Sequence, residues 1–423
     1  MSLRGVPLAF PPHAHRSSLP GSAISRISRA RLPTLLCPPD TAALLPAGHA
    51  GDAPDVWVYR YLEPGTGWRL SIATCAPPGS GKLSLGGFRI ATPERTQSAG
   101  FDTDREAAGL AVGMEEKVGW SRVLGIAGPL ARRDTTRIVG GKCVLLPSAD
   151  ARVGQPHDQA LLDFAIECLH DAEVRGGFSI TTGQDLGHGL MSDGVTRSLD
   201  YLNARFRGCV VSDTSQPTGE GNFHVLTGML RGCDINIADA TVGLIGCGNV
   251  GTRVLTRLRE QGTEVLVLDA SEQRRAELAT MGLHVFTPAA KADLLNRPVD
   301  ALVVNAAGGS LDLASIAIIV ANPRTRVICG SENLAMPDEL AGTEALRHAR
   351  KAYAPTELGG MMGYLTAAEE YLATVAGSSF AIDTMIGAAS QLEMPVFAAM
   401  RHLREHNFTN TFAESLLAVA QSE

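Results

Sequence analysis

Lysine is rare in this chain, and the places where it is kept are the first sign of chemistry. Of 37 basic residues only five are lysines, at positions 82, 117, 142, 291 and 351, and arginine supplies the rest. Lys142 stands in "IVGGKCVLL" (138–146), where two glycines deliver it to the head of an apolar run that reads as a buried strand. Charged side chains are almost never left inside a protein without a partner. An amine can shift its pKa when desolvated and then carry a proton or act as a compact point charge, which a guanidinium cannot do. Lys142 behind a flexible glycine hinge therefore invites an acid–base or electrostatic role, although a strand-end lysine can also snorkel to water.

A second constellation is "GCGNVG". Gly246, Gly248 and Gly251, with Asn249 and Val250 between the last two, follow the strand "TVGLI" and open the helix "VGTRVLTRLREQG". The next strand ends at Asp269, eighteen positions after Gly251. Strand, glycines, helix and acid fall where a dinucleotide fingerprint requires them. The glycines let the backbone reach the pyrophosphate, whose charge the helix N-terminus stabilises. Asp269 would accept hydrogen bonds from the ribose hydroxyls and repel a 2′-phosphate, favouring NAD over NADP. A glycine turn without a cofactor, or a vestigial site in a binding protein, is the alternative.

These residues need a scaffold. "DVWVYRYL" (55–62) and "WRLSIATC" (68–75) alternate as half-buried strands do, and "REAAGLAVGMEEKVGWSRV" (105–123) reads as an amphipathic helix. The strand "KCVLLP", the helix 156–172 and the segment "GGFSITTGQDLG", a strand ending in a polar turn, complete an α/β unit over residues 51–212. From the helix 222–233 onward, short apolar runs ending in small or polar residues ("TVGLI", "EVLVL", "LHVFT", "ALVVNAA", "RVICGSEN") predict a doubly wound parallel sheet over 213–380. Residues 381–420 read as helical, and the 381–423 segment is expected to pack back toward the first unit. The fold class is thus α/β: a first α/β unit plus a doubly wound Rossmann unit.

The bulk composition excludes several alternatives. A length of 423 residues accommodates two cores. With a net charge of −7 and no basic block, nucleic acid is not an expected partner. No apolar run reaches the ~18–20 residues of a membrane helix. Eight scattered cysteines without a CxxC pair read as free thiols of a reducing, cytoplasmic compartment, with no metal site. Residues 1–50, rich in Pro, Ser and Arg and without an acid before Asp40, read as a disordered tail, a transit peptide or a misplaced start.

Taken in order, "LGGFR", "GMEEK", "GGKCVLL", "QALLDFAIECL", "ITTGQDLG", "GMLRG", "GCGNVG", "YAPTEL" and "NTFAESLLAVA" resemble the Glu/Leu/Phe/Val amino-acid dehydrogenases, most closely the leucine dehydrogenase branch. The resemblance runs from about Leu85 to the C-terminus and implies NAD-dependent oxidative deamination of an amino acid to a 2-oxo acid and ammonia, or its reverse, by a homo-oligomer. By this resemblance Lys117 holds the substrate α-carboxylate, Lys142 polarises the carbonyl and activates the hydrolytic water, and Asp185 shuttles a proton. Gly86 and Gly87 would let the backbone approach the substrate, and Asn305 and Asn333 would lie near the nicotinamide. Singly, Lys117 after two glutamates also reads as a solvated helix-face partner, and Asp185 as a turn cap. His188 and His224 read as ordinary loop and helix histidines.

The chain departs from the family pattern at four places. Val139 replaces the glycine before "GGK", and about a dozen residues around "LARRDTT" lengthen the loop between the two lysines. Gly221 stands near an expected threonine, and Gly360 stands where an asparagine would bind the substrate amino group. Glycine at 360 is expected to leave volume for a bulky or N-substituted amino acid. The rival readings are a biosynthetic oxidoreductase of the same fold acting on an imine or keto acid, and a non-catalytic NAD-binding protein.

Overall fold

The computed structural model describes residues 32–45, 53–98 and 100–422. The first sheet takes its strands from β1 (Thr34–Leu36), β2 (Trp57–Leu62), β3 (Arg69–Thr74), β4 (Leu83–Leu85), β5 (Phe88–Ile90), β6 (Ile138–Leu146) and β7 (Ser179–Thr181). Their order is β1-β2-β3-β6-β4-β7, with β5 also on β6. The pairs β1–β2, β2–β3 and β3–β6 are antiparallel, and β4 and β5 run parallel to β6. Helices α1 (Pro38–Thr41), α2 (Pro93–Gln97), α3 (Thr103–Val123), α4 (Asp158–Gly176) and α5 (Ser198–Asn203) accompany this sheet.

The expectation of a disordered 1–50 tail is corrected for residues 32–45, which include β1 and α1. β1 pairs with β2 through Thr34–Arg60, Leu35–Tyr59 and Leu36–Val58, and the buried Thr41 hydroxyl donates to the Val56 carbonyl at 2.8 Å. The side chains of β1 stay largely exposed, so what it gains is backbone pairing with the otherwise open edge of β2. Residues 1–31 and 46–50, on which the rest of that expectation falls, lie outside the described residues.

Two local expectations for the first unit also change. The glycines before Lys142 form no hinge: Gly140 and Gly141 belong to β6 itself. A Cβ on Gly140 would collide with the α3 backbone at Ala111 and Glu115, so glycine here lets a helix lie directly on a strand. Nor is α3 a half-solvated amphipathic helix. Its Glu106 and Lys117 are buried, because β6 covers one side and a later helix covers another.

The second sheet is wholly parallel, in the order β10-β9-β8-β11-β12-β13. It alternates β8 (Thr241–Ile245), β9 (Glu264–Leu268), β10 (His284–Phe286), β11 (Ala301–Val304), β12 (Val327–Gly330) and β13 (Ala352–Tyr353) with helices. Those are α6 (Ser215–Gly232), α7 (Asn249–Glu260), α8 (Glu272–Thr280), α9 (Lys291–Leu295), α10 (Leu313–Ala321), α11 (Glu339–His348) and α12 (Thr356–Ala376). Near-continuous apolar strands such as "EVLVL" and "ALVV" are what a sheet covered on both faces selects. The fold is therefore the α/β pair of units expected, with a doubly wound sheet whose strand order reverses between β8 and β11.

Helix α6 begins at Ser215, seven residues before its apolar pattern does. Glycines at 219 and 221 weaken helix propensity, but a Cβ there would lie 2.5 Å from Arg253 Cβ and 2.8 Å from Met362 Cγ respectively. Close packing on α7 and α12 outweighs the local preference. The last helices, α13 (Ile382–Ala388), α14 (Glu393–Glu405) and α15 (Phe412–Ala420), follow. α14 lies along the glycine face of α6, where a Cβ on Gly228 would be 2.6 Å from the Glu393 carbonyl. Leu417 of α15 and Trp120 and Val123 of α3 meet across a cleft of about 460 Å³. A core of buried side chains runs from Leu83, Leu85 and Ile138 through Leu358 and Met361 to Val242 and Val303, so α12 joins the two units.

Candidate active site and cofactor turn

β6 carries Lys142 to the centre of the first sheet, opposite the turn after β7 that holds Asp185. The two side chains form an ion pair, with 6% and 12% of their surface exposed. Asp185 is also gripped by Arg89, whose Nε and Nη2 each lie 3.3 Å from a carboxylate oxygen. Arg89 in turn donates to Glu106 Oε1 at 2.7 Å, and Arg95 to Glu106 Oε2 at 2.8 Å. Charges thus alternate from the buried lysine to the surface arginine, which is how so many ions can be buried together. Burial alone would raise the Asp185 pKa, but Lys142 and Arg89 overcome it and hold the carboxyl well below the usual carboxylate range. Asp185 is therefore the ionised carboxylate of this pair.

Arg89 was not singled out from the sequence, yet "LGGFR" contained the signal: an arginine closing an apolar run must be paired. The two glycines before it serve different neighbours. A Cβ on Gly86 would overlap the Gly141 carbonyl, so Gly86 lets two strands touch. A Cβ on Gly87 would lie 2.8 Å from Lys142 Nζ and 3.4 Å from Asp185 Cβ, so Gly87 faces the ion pair. His188 spans the Phe88 carbonyl (2.8 Å) and the Ser198 hydroxyl (3.0 Å), and burial pushes its pKa down. It is a structural histidine, as is His224, whose Nδ1 lies 3.1 Å from Glu393 Oε2.

Lys117 reaches across to the second unit. Its Nζ donates to Asn333 Oδ1 at 2.8 Å, on the loop after β12. Burial lowers its pKa, helped by the Lys142 charge and opposed by Glu357, Asp185 and Glu116. The volume expected at Gly360 is not free, because a Cβ there would sit 2.9 Å from Lys117 Cε. The lysine stem occupies the place where an asparagine side chain was looked for. Gly221 is closed in the same way by Met362.

At the reversal of strand order, the glycine turn meets the loop after β11. Gly246 has φ +86°, and a Cβ on it would be 2.7 Å from the Asn305 carbonyl carbon and oxygen. A Cβ on Gly251 would strike the Gly246 carbonyl, whereas one on Gly248 would meet nothing within 4 Å. Gly248 caps α7 with no side-chain hydrogen bond, and Asn249 and Val250 begin the helix, leaving its first amide groups for an anion. Asp269 is mostly buried: Oδ2 accepts from Cys247 N at 2.7 Å and Oδ1 from Ser271 N at 2.8 Å. It therefore braces the turn. Asn305 Oδ1 accepts from the Ser331 amide (3.0 Å) and hydroxyl (2.8 Å), while its buried Nδ2 has no partner among the described residues. An orphan donor costs ~1–3 kcal/mol, and a ligand acceptor such as a carboxamide oxygen would satisfy it. With an open helix N-terminus, a glycine cradle and this orphan amide, the residues present fit a nicotinamide dinucleotide. Lys142, Asp185 and Lys117 are brought together with Asn333 between the two units, while the glycine turn and Asp269 lie at the carboxyl ends of the paired strands β8 and β9.

Residues 211–308 match the family described as D-isomer specific 2-hydroxyacid dehydrogenase, NAD binding domain. A comparison with curated proteins finds no match. Among solved structures, the L-tryptophan dehydrogenase from Nostoc punctiforme is similar at 16% identity, with 86% of this chain and 95% of that chain covered and a TM-score of 0.57. The glutamate dehydrogenase from Peptoniphilus asaccharolyticus is similar at 17% identity, with 84% of each chain covered and a TM-score of 0.54. Plasmodium falciparum glutamate dehydrogenase 2 is similar at 13% identity, with 87% and 83% covered and a TM-score of 0.58. At such identities the similarity is one of fold, and it does not single out the leucine dehydrogenase branch. The chain shares the two-domain α/β fold of these tryptophan and glutamate dehydrogenases, and its Rossmann-like unit matches an NAD-binding domain family over residues 211–308.

Proposed function

We propose that this chain is an NAD-dependent oxidoreductase that interconverts an L-amino acid with its 2-oxo acid and ammonia in the cleft between its two units. The observation that carries this reading is the buried Lys142–Asp185 ion pair, stayed by Arg89 and neighboured by Lys117, which bonds Asn333 of the Rossmann unit. The glycine turn, the first amides of α7 and the Asn305 amide would hold NAD, which would supply the hydride acceptor for the α-carbon. Everything else falls to the chain. Lys117 holds the α-carboxylate, exchanging Asn333 for the substrate. Lys142 donates a hydrogen bond to the carbonyl oxygen in the aminating direction, and its neutral form activates water against the imine in the other. Asp185, fixed as an anion, orients that amine and keeps its proton at hand. It takes a proton itself only once substrate binding loosens its hold on Lys142.

Asp269 favours NAD over NADP, because a 2′-phosphate would face a carboxylate. A lysine pair for carboxylate and carbonyl, without an asparagine for the amino group, keeps the leucine-dehydrogenase-like reading of the hydride machinery. It also points to a non-standard amino acid, whose amino group is held in another way. Assembly as a homo-oligomer accompanies this reading and is measured by light scattering. The test of function is NADH formation at 340 nm across a panel of amino acids at alkaline pH, with ammonium release assayed in parallel. NADH without ammonium favours an imine or keto-acid oxidoreductase. No turnover with tight NADH binding favours a binding protein.

A further inference from the structure

Helices α3 and α12 cross where two residues of each face the other. On α3 these are Gly113 and Lys117, one turn apart, and on α12 they are Glu357 and Gly360. Each meeting sets a glycine against a charged chain. A Cβ on Gly113 would lie 3.4 Å from Glu357 Oε1, and one on Gly360 would lie 2.9 Å from Lys117 Cε. The absence of side chains at 113 and 360 is what lets a carboxyl and an amine thread the same crossing.

Glu357 is 8% exposed, accepts a hydrogen bond from the Thr356 hydroxyl at 3.2 Å and forms no ion pair among the described residues. Glu116 and Lys117 face it from α3, Glu339 from α11 and Tyr353 from β13. Lys117 is influenced in turn by Glu357, Lys142, Asp185 and Glu116. The mechanism proposed above gives Glu357 nothing to do. A buried carboxyl beside a carboxylate-binding lysine nevertheless affects any anion that arrives there, since like charges repel strongly where water is scarce.

We infer that Glu357 is a positioning residue of the carboxylate subsite: it shares the helix crossing with Lys117, balances that amine when it is itself ionised, and is protonated whenever a substrate carboxylate occupies Lys117. This inference rests on the reading that Lys117 holds that carboxylate. Burial, with Glu116 and Glu339 adding to it and Lys117 opposing, raises the Glu357 pKa to about 8. Below that pH the group is already protonated and binding requires no proton. Above it each bound carboxylate must bring one in, so affinity falls by up to about tenfold per pH unit.

The probe is pyruvate, titrated by NADH fluorescence against the enzyme–NADH complex without ammonium between pH 6.5 and 9.5. In the wild type the pyruvate Kd is expected to be flat to about pH 8 and then to rise about tenfold by pH 9. In Glu357→Gln the rise is expected to vanish. If the variant keeps the rise, or shows it at lower pH, Lys117's own titration is responsible and the inference is overturned. Calorimetry of wild type in two buffers of different ionisation enthalpy needs no variant. It should read no proton uptake at pH 7 and close to one per pyruvate at pH 9, and no uptake at pH 9 overturns the inference. Lys117→Ala separates the two layers: pyruvate binding unchanged by that substitution overturns the function reading instead. Infrared difference spectra cover the case in which pyruvate does not bind at all. A carboxylic-acid band present at pH 7 and absent in Glu357→Gln supports the inference, and its absence from wild type overturns it.

Discussion

Gly360 faces the side chain of Lys117 so closely that a methyl group on it would lie 2.9 Å from Cε and 3.2 Å from Nζ. The lysine can reach Asn333 only because residue 360 has no side chain. Gly360→Ala should push the lysine stem aside, an overpacking cost of ~1–3 kcal/mol that falls on the carboxylate subsite. KM is expected to rise about tenfold or more with a smaller change in kcat. Gly360→Asn should behave no better on simple amino acids, since its amide would compete with Lys117 for one space. Steady-state kinetics on the best amino acid of the panel decide this. A Gly360→Asn enzyme that improves on leucine would show that the lysine can move away at no cost.

Lys142→Ala should lower turnover by at least ~10²–10⁴-fold, the usual contribution of a general acid–base group, with NADH affinity unchanged. Asp185→Asn keeps the shape but removes the anion that holds the Lys142 proton, so it should lose activity comparably and shift the pH–rate profile. Arg89→Met leaves Asp185 and Glu106 buried with one cation fewer, and breaking such a network costs ~3–5 kcal/mol. Wild-type turnover in Lys142→Ala would remove the amine from the chemistry.

For the cofactor, Asp269 accepts from the backbone amides of Cys247 and Ser271, and on the proposed function its carboxylate would close the 2′ position to a phosphate. NADH should bind at least about tenfold more tightly than NADPH, and Asp269→Ala should weaken NADH by loosening the turn. Equal affinities measured by fluorescence titration would show that the aspartate only braces the backbone.

Glu173 on α4 accepts from the Ile180 amide at 2.8 Å, and burial raises its pKa to about 7. An unfolded-state glutamate titrates near ~4.3. The folded state therefore binds this proton more tightly. Its contribution to stability is complete below pH ~4.3 and is lost as pH rises through 7. Glu173→Gln keeps the acceptor and removes the ionisation, so it should raise stability at pH 8 by ~1–2 kcal/mol and change little at pH 4.5. Denaturant melts at the two pH values check the sign.

Truncation tests the N-terminal strand. Removing residues 2–45 takes away β1 and the Thr41 bond to Val56, and should lower Tm by several degrees, since ~1 kcal/mol corresponds to a few degrees in a chain of this size. Thr41→Val isolates the hydrogen bond. An unchanged melting curve for the truncation would mean that β1 adds nothing to β2.

Much of this molecule is legible from local pattern. The parallel sheet follows from apolar runs that end in small residues, because a strand covered on both faces needs apolar side chains along its whole length. The cofactor turn follows from three glycines whose spacing only a strand–turn–helix backbone requires. Lys117, Lys142 and Asp185 stand out through residue type and order along the chain. What spacing could not convey is who meets whom. Arg89 and Glu106 complete the ion chain from separate segments, and Glu357 reaches Lys117 across 240 positions of sequence. Glycine misled most, because its absent side chain means freedom in a loop and contact in a core. At Gly140 and Gly360 the structure places a helix backbone and a lysine stem where a Cβ would be. A sequence records that a side chain is missing, but only the tertiary fold decides whether the space it leaves is empty or filled, because the neighbour that fills it comes from a distant part of the chain.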